Sequence, residues 1–311
     1  MTGILESTAT RELLSSHTSF RIGGPADRFL RPAGLDALMR AVTQARSAGM
    51  PVRVIGQGTN LLVDDGGVDG MVIATGSLGR AERAGDGIVD VECGVKLPWL
   101  VARSAEWGLS GIECLAGIPG SVGGAVRTNA GAASGCIADV IEHIRVLTPD
   151  GEQARLTPAE ADLGYRRANI GGAVVLSVRL RLRPADGGRV RAAAAENLRR
   201  KAQAQPLSAA CAGCVFKNPP GDSAGRIIDS LGLKGAAAGG ARISEKHANF
   251  IVNDGGATAA DVLALIDLAR DTARRALGVA LELEIDVWRR TARDTVRGAA
   301  PAPTRALRQQ G

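Results

Sequence analysis

Along the first third of the chain the apolar positions switch between a helical and an extended period, and these switches predict the elements. Residues 35–48 read as a helix that Gly49 stops. The segments PVRVIG at 51–56 and MVIAT at 71–75 read as short strands, and 88–93 as another. Residues 97–107 read as a second helix, with Pro98 suited to its first turn and Gly108 to its end. Further on, 174–183 alternates: Val174, Leu176, Val178, Leu180 and Leu182 share one face, and Arg179, Arg181 and Arg183 the other. Pro184 and Asp186-Gly187-Gly188 break that pattern, and a helix over 190–203 ends before Pro206. Thr258 and Asp261 form a capping-box-like start for a last helix, with a stripe of Val262, Leu265, Ile266 and Ala269 and an end at Gly278. Residues 281–288 alternate as a final strand, with Leu281, Leu283, Ile285 and Val287 inward. The pattern predicts α+β or α/β layers, with a domain boundary just before the helix over 190–203.

Composition narrows the class. A chain of 311 residues suggests about two domains. With 45% hydrophobic and 23% charged residues, most of it cannot be disordered, and the 41 glycines show no three-residue period, which excludes collagen. Aromatic residues, at 3%, are too scarce for base-stacking platforms. The net charge of +6 does not indicate a nucleic-acid partner. Arg289, Arg290, Arg293, Arg297, Arg305 and Arg308 stand against one acid, Asp294, so nearly all the excess lies in a Pro/Ala/Arg tail, expected to be solvated and disordered. Arg199-Arg200-Lys201 reads as an exposed helix face. The first residues lack a basic then apolar leader, and no uncharged apolar run nears the ~18 residues of a membrane span, so the expectation is a cytoplasmic protein without a membrane partner. Five cysteines (93, 114, 136, 211, 214) fit reduced thiols rather than a disulfide framework.

Two glycine-rich loops are the candidates for chemistry. Ile55-Gly-Gln-Gly-Thr-Asn-Leu-Leu-Val63 follows a strand directly; Gly56 and Gly58 permit tight turns that bring amides towards phosphate, and Asn60 suits a phosphate or a flavin. A plain turn between strands is the alternative. Gly117-Ile-Pro-Gly-Ser-Val-Gly-Gly-Ala125, followed by Thr128-Asn-Ala-Gly131, lacks the Lys-Ser/Thr of a Walker loop and is not a GxGxxG opening a helix. It suits either a flat cofactor lying on backbone or close core packing. Cys211 and Cys214 form a CxxC, but zinc would need two more ligands and the other cysteines are scattered, so no metal is expected; a redox dithiol stays open.

At this point the residues carry a family likeness. The string from Gly108 to Gly131 resembles the flavin-binding core of UDP-N-acetylenolpyruvoylglucosamine reductases (UDP-N-acetylmuramate dehydrogenases). His17-Thr-Ser-Phe-Arg-Ile-Gly-Gly-Pro25, the GQGTNLLV loop, Leu163-Gly-Tyr-Arg166, Gly213-Cys-Val-Phe-Lys-Asn-Pro219 and Ile243-Ser-Glu-Lys-His-Ala-Asn-Phe-Ile-Val-Asn253 resemble further motifs of that family, in order, from about residue 15 to 288. No long insertion follows the Tyr-Arg motif, which is similar to the shorter-loop form. The resemblance implies an α+β fold: a two-part FAD-binding region of the vanillyl-alcohol-oxidase (PCMH) type, then an α+β substrate-binding domain. The implied divisions are an N-terminal extension (1–16), the FAD region (17–187, with a subdomain boundary near 76), the substrate region (188–290) and the tail (291–311). It also implies non-covalent FAD, NADPH as hydride donor, a UDP-sugar enolpyruvate substrate reduced to UDP-N-acetylmuramate for peptidoglycan, and a monomer.

The resemblance also assigns residues. Gly56, Gly58, Thr59, Asn60, Leu61, Ile118, Gly120, Ser121, Gly123, Gly124 and Asn129 would contact the cofactor. Lys217, Asn218, Lys246, His247 and Asn249 would contact substrate, Lys being a good point charge for phosphate. Hydride addition to the enol ether loads negative charge on the neighbouring carbon and the carboxylate, which calls for a cation and an acid. Arg166 suits the cation, with Arg167 its neighbour and competitor. Cys214 stands where the family usually has serine and keeps a proton donor there; a small buried hydrophobe is the alternative. Glu282, Glu284 and Asp286 share one face by period two, an exposed acidic edge by default, and the family pattern singles out Glu284 as a third catalytic group. After Glu284 the sequence departs from the family, and Ala168 stands where serine is common. His17 and His143 read as structural. An FAD oxidase of another small alcohol or sugar is the alternative function, and a non-catalytic flavin- or nucleotide-binding module the alternative class.

Overall fold

A computed structural model describes residues 8–290; residues 1–7 and 291–311, including the basic tail, lie outside the described residues. The first sheet has the order β1 (Ala9–Leu13), β2 (Pro25–Leu30), β5 (Val68–Ala74), β3 (Val52–Ile55), with β2, β5 and β3 parallel and β1 antiparallel at the edge. Strand β1 thus brings residues 9–13 into the sheet, and the fully buried Leu14 follows it at the start of the helical turn Leu14–His17. Helix α1 (Leu35–Ser47) turns Leu38, Ala41, Val42 and Ala45 to the core and stops at Gly49, whose φ of +66° is the left-handed conformation a helix end needs. Between β3 and β5 lies the short strand β4 (Leu61–Val63), wholly buried.

The second sheet is antiparallel, in the order β9 (Gln153–Leu156), β8 (Ile141–Leu147), β10 (Val174–Arg181), β7 (Ile88–Glu92), β6 (Ala81–Gly85). Helix α2 (Leu97–Glu106) has proline in its first turn. Strand β10 departs from strict alternation: every residue from Val174 to Val178 is buried, because the short helix α3 (Val122–Arg127) packs against it, and only its far end shows polar positions.

Helix α4 begins earlier than periodicity suggests, spanning Gly187–Ala204. Asp186-Gly-Gly, which ends the preceding strand, also starts this helix, since the Asp186 carboxylate accepts from the Arg189 amide as N-cap. α4 lies along α2 and the turn Glu113–Leu115, and Asn197 donates to the Glu113 carbonyl at 2.9 Å. This corrects part of the basic face. Arg199 and Arg200 are exposed, but the Lys201 ammonium reaches the carbonyls of Ala116 (2.9 Å) and Cys114 (3.3 Å), and burial pulls its pKa down to about 8.

The last region holds the sheet β11 (Ala237–Ala238), β12 (Ala241–Ile243), β13 (Ile251–Asn253) and the helices α5 (Ala224–Ser230) and α6 (Ala259–Leu277). The Thr258/Asp261 capping box and the left-handed Gly278 bound α6, and Val262, Leu265, Ile266 and Ala269 are buried. Phe20 and Ile22, from near the N-terminus, pack in this region's core. The final strand is shorter than its sequence pattern: only β14 (Asp286–Trp288) forms, parallel to β4. Leu281 and Ile285 are buried, whereas Leu283 and Val287 are only half-buried. Among the described residues no helix is long and apolar enough to cross a membrane, and all five cysteines are free thiols.

Candidate active site

Three parts of the chain approach one another closely. Gly58 has φ +59°, and a Cβ there would lie 2.1 Å from the His17 carbonyl. A Cβ on Gly56 would lie 2.2 Å from the Ser121 hydroxyl, and Thr59 donates to the Pro119 carbonyl at 3.2 Å. The missing side chains let the segment around His17, the loop Gly56–Asn60 and the loop around Ser121 approach one another to backbone distance. Beside them lies a cleft of about 340 Å³ lined by residues that include His17, Thr18, Ser19, Gly56, Gln57 and Gly76. Its lining is mostly small and polar and includes Arg31. A larger surface cleft of about 540 Å³, lined by Met39, Thr43, Leu147 and Gln153 among others, contains none of the candidate residues.

Not every residue expected at the cofactor points into the cleft. Asn60 donates to the Glu284 carbonyl at 3.0 Å, so its amide fixes the last strand instead of a phosphate. Gly123 abuts Cys93: its amide donates to the Cys93 carbonyl at 2.8 Å, and a Cβ would lie 2.9 Å from the Cys93 Cβ. Ser121 is the N-cap of α3 and accepts from the Gly124 amide. Leu61 is buried, while Ile118 and Gly120 stay partly accessible. Asn129 is buried and bonded on both sides of its amide, to Gly164 and Ala138.

The three catalytic candidates come together. Arg166 sits in a left-handed conformation (φ +53°) in a tight turn, where Gly164 and Arg167 exchange backbone hydrogen bonds. That conformation is costly for a side chain with a Cβ, by about 1–3 kcal/mol, and is retained here at the candidate site. It turns Arg166 inward: Nη1 donates to the Gly131 carbonyl at 3.2 Å, and Nε lies 2.7 Å from Glu284 Oε1. Arg167 points the other way, 61% exposed and paired with Asp162, which decides between the two arginines. The Arg166–Glu284 contact is close enough for an ion pair, yet the buried Nε has no aligned hydrogen-bond acceptor.

Cys214 and Glu284 reach the cluster on neighbouring extended segments. Glu284 N donates to Val215 O at 2.8 Å and Lys217 N to Glu282 O at 2.9 Å, an antiparallel pairing centred on the Phe216–Leu283 bridge. Asn249 secures this segment: its Oδ1 accepts from Phe216 N at 2.9 Å and its Nδ2 donates to Phe216 O at 2.8 Å. Glu282, Glu284 and Asp286 do not form a common exposed edge. Glu282 and Asp286 are exposed, but the Glu284 side chain retains only 15% of its accessibility. Burial raises the Glu284 pKa, with Arg166 opposing. Burial, reinforced by the Glu284 charge, pushes the Cys214 thiol up to about 12.

The remaining substrate candidates divide. Lys217 lies 3.4 Å from Glu282 and is partly exposed; the Asn218 carbonyl oxygen accepts from Ala224 N, leaving its NH₂ available. Lys246 donates to the Ala202 carbonyl at 2.5 Å, and His247 accepts from Asn249 N and packs edge-on against Phe250. Lys246, His247 and Asn249 thus hold the local framework. Two residues that lie within the quoted motifs receive no role of their own from the sequence. Tyr165 is 60% exposed, with its hydroxyl 3.4 Å from the Asn218 amide and its ring 5.6 Å from the Arg166 guanidinium. The Ser19 hydroxyl donates to Cys211 O at 2.6 Å and its amide to Gly58 O at 3.1 Å, linking the cleft to the Cys214 segment. An exposed aromatic beside an arginine could have flagged Tyr165; nothing local flags Ser19. His17 is structural, bonded to Glu12 and stacked on Phe29. Among the described residues no group of three or more His, Cys, Asp or Glu converges as a metal site.

This chain is similar to two family models: an FAD binding domain over residues 26–157, and the C-terminal domain of UDP-N-acetylenolpyruvoylglucosamine reductase over residues 205–288. A UDP-N-acetylenolpyruvoylglucosamine reductase of Moorella thermoacetica is 44% identical over 92% of this chain and 95% of its own. A second such enzyme, of Symbiobacterium thermophilum, is 45% identical over 89% of this chain and 91% of its own. The crystal structure of UDP-N-acetylenolpyruvylglucosamine reductase from Thermus caldophilus superposes with a TM-score of 0.80 at 41% identity, covering 91% of this chain and 99% of that one.

Proposed function

The chain belongs to the UDP-N-acetylenolpyruvoylglucosamine reductases, and on that premise we infer how its own residues carry the reaction. It is an FAD-containing oxidoreductase that uses NADPH to reduce the enolpyruvyl group of a UDP-sugar, giving UDP-N-acetylmuramate for peptidoglycan precursors. The alternative reading, an oxidase of another small alcohol or sugar, is not favoured. Its fold is the α+β, two-part FAD-binding region followed by the family's C-terminal domain.

FAD, when bound, would supply the hydride-carrying chemistry between NADPH and the substrate. The small-residue walls around Gly56, Gly58, Gly120 and Ser121 would hold it, without a covalent bond. In our reading the cofactor region runs over 17–187, with a subdomain boundary near 76, and the substrate region over 188–290. Lys217 and Asn218 would bind the UDP-sugar diphosphate, with Tyr165 beside them. Arg166, braced by Glu284, holds the substrate carboxylate and the charge that grows there with its guanidinium. Cys214 gives its Sγ proton to the carbon next to the one that receives hydride. A thiol with its pKa at about 12 is protonated throughout the neutral range, so the acid is in place before reaction. Glu284 braces Arg166 and is the third catalytic group. We further propose a cytoplasmic monomer with no nucleic-acid partner.

The observation that carries this reading is the convergence of Arg166, Cys214 and Glu284 from three separated parts of the chain. Cys214→Ala should bleach normally with NADPH, while re-oxidation of the reduced enzyme by the enolpyruvyl substrate falls by roughly 10²–10⁴-fold and Cys214→Ser recovers much of it. Equal slowing of both half-reactions would remove Cys214 from the donor role.

A further inference from the structure

Asn129 belongs to the glycine-rich stretch that sequence assigns to the cofactor, yet its side chain is used elsewhere. The Nδ2 group donates to the Gly164 carbonyl at 3.0 Å, and Oδ1 accepts from the Ala138 amide at 3.2 Å. Gly164 opens the turn that presents Arg166. Two residues beyond Asn129, the Gly131 carbonyl accepts from Arg166 Nη1. One short segment therefore grips both the backbone of the arginine turn and the guanidinium itself. Each end of this link is under conformational tension: Asn129 has φ +41° and Arg166 +53°, and both are left-handed without being glycine. Asparagine tolerates that region better than most residues and, unlike aspartate, offers a donor and an acceptor together. No other uncharged side chain of similar size meets all three demands.

We infer that Asn129 is a positioning residue for substrate reduction: it holds the Gly164–Arg167 turn so that Arg166 is preset for the substrate carboxylate. This rests on the reading of Arg166 given above. Ala138, on its other arm, anchors Asn129 to the short helical turn Ile137–Val140, so the clamp has a fixed base. The stretch around residue 129 thereby couples the cofactor side of the molecule to the arginine on the substrate side. A displacement of about 1 Å at such a group costs on the order of 10²-fold in rate.

The test is a mutant cycle on the FAD-loaded full chain. Asn129→Asp keeps the acceptor for Ala138 and a residue type that tolerates the left-handed conformation, but loses the donor to Gly164. Asn129→Gly keeps the backbone conformation and loses both arms, a second route should the first fold poorly. Flavin content is read from absorbance, and re-oxidation by the enolpyruvyl substrate from stopped flow. Both variants should retain FAD, and re-oxidation should slow by roughly 10–100-fold with the main loss in kcat. In an Arg166→Lys background the Asn129→Asp change should add little, because the turn then presents no guanidinium. Additive losses, or loss of FAD from both variants, would overturn the inference and return Asn129 to the cofactor loop. Arg166→Lys leaving re-oxidation unchanged would instead break the underlying reading of Arg166.

Discussion

The cleft beside Gly56 and Gly58 and the cluster around Arg166 are built by opposite means. In the cleft the chain leaves atoms out, and its walls meet at distances where a single added carbon would collide with the His17 carbonyl or the Ser121 hydroxyl. In the cluster the chain spends side chains: Arg166 on Gly131 and Glu284, Asn249 on both backbone groups of Phe216, Asn60 on the Glu284 carbonyl. The first region should therefore be intolerant of addition, and the second of removal.

Substitutions can sharpen or break that contrast. The largest effect should come from Gly58→Ala. Left-handed backbone costs about 1–3 kcal/mol for a residue with a Cβ, and the collision with backbone adds to it. The variant should melt lower and purify without yellow colour; a normal FAD complement would show that the cleft has more room than its geometry implies. Next, Asn249→Ala leaves a buried amide and carbonyl of Phe216 without partners, at about 1–3 kcal/mol for each group. It should keep flavin while slowing substrate reduction, since the Cys214 segment loses its clamp. Loss of flavin with unchanged substrate turnover would erase the distinction between the regions.

The third effect is a pH dependence. Burial holds the Cys214 thiol at about 12, so the donor form persists as pH rises and is lost only near that value. Wild type and Cys214→Ser should share the same profile for re-oxidation between about pH 7 and 10, where a free thiol near 8.5 would have ionised. An alkaline limb near 8.5 present only in the wild type would mean the thiol is far better solvated. The smallest effect serves as the control. Thr258→Ala removes the α6 capping box, remote in role from both regions, and should cost about 1 kcal/mol in chemical unfolding with kcat/KM unchanged.

What was legible in the sequence follows the same divide. Elements with strong periodicity and clear ends, such as α1 with Gly49 and α6 with its capping box and Gly278, form where the pattern puts them. Of the residues that the family likeness picks out, Arg166, Cys214 and Glu284 lie close to one another. The errors occur where tertiary partners outweigh local pattern. Residues 281–285 alternate as a strand but find a ladder partner only through the Phe216 bridge, so the strand begins at Asp286. Glu284 looks like its neighbours Glu282 and Asp286 by period and differs only because Arg166 and Asn60 meet it. Lys201 reads as one charge of a basic run, whereas the carbonyls of Cys114 and Ala116 draw it inward. Asn60 and Asn129 sit in glycine-rich loops, and no local signal shows that their amides serve other parts of the chain.

The pairing of β14 with β4 sets an order of events at synthesis. Strand β4 leaves the ribosome early, but its parallel partner lies near the end of the described chain, and Asn60 meets Glu284 across a separation of 224 residues. Contacts so distant in sequence form late. A nascent chain can complete the two sheets of the first region while the GQGTN loop still lacks the strand beside it and Glu284 is still unmade. Arg166 then waits, already translated, for the carboxylate that will face it. A chain cut short before residue 284 would hold Arg166 and Cys214 without the carboxylate that faces the guanidinium.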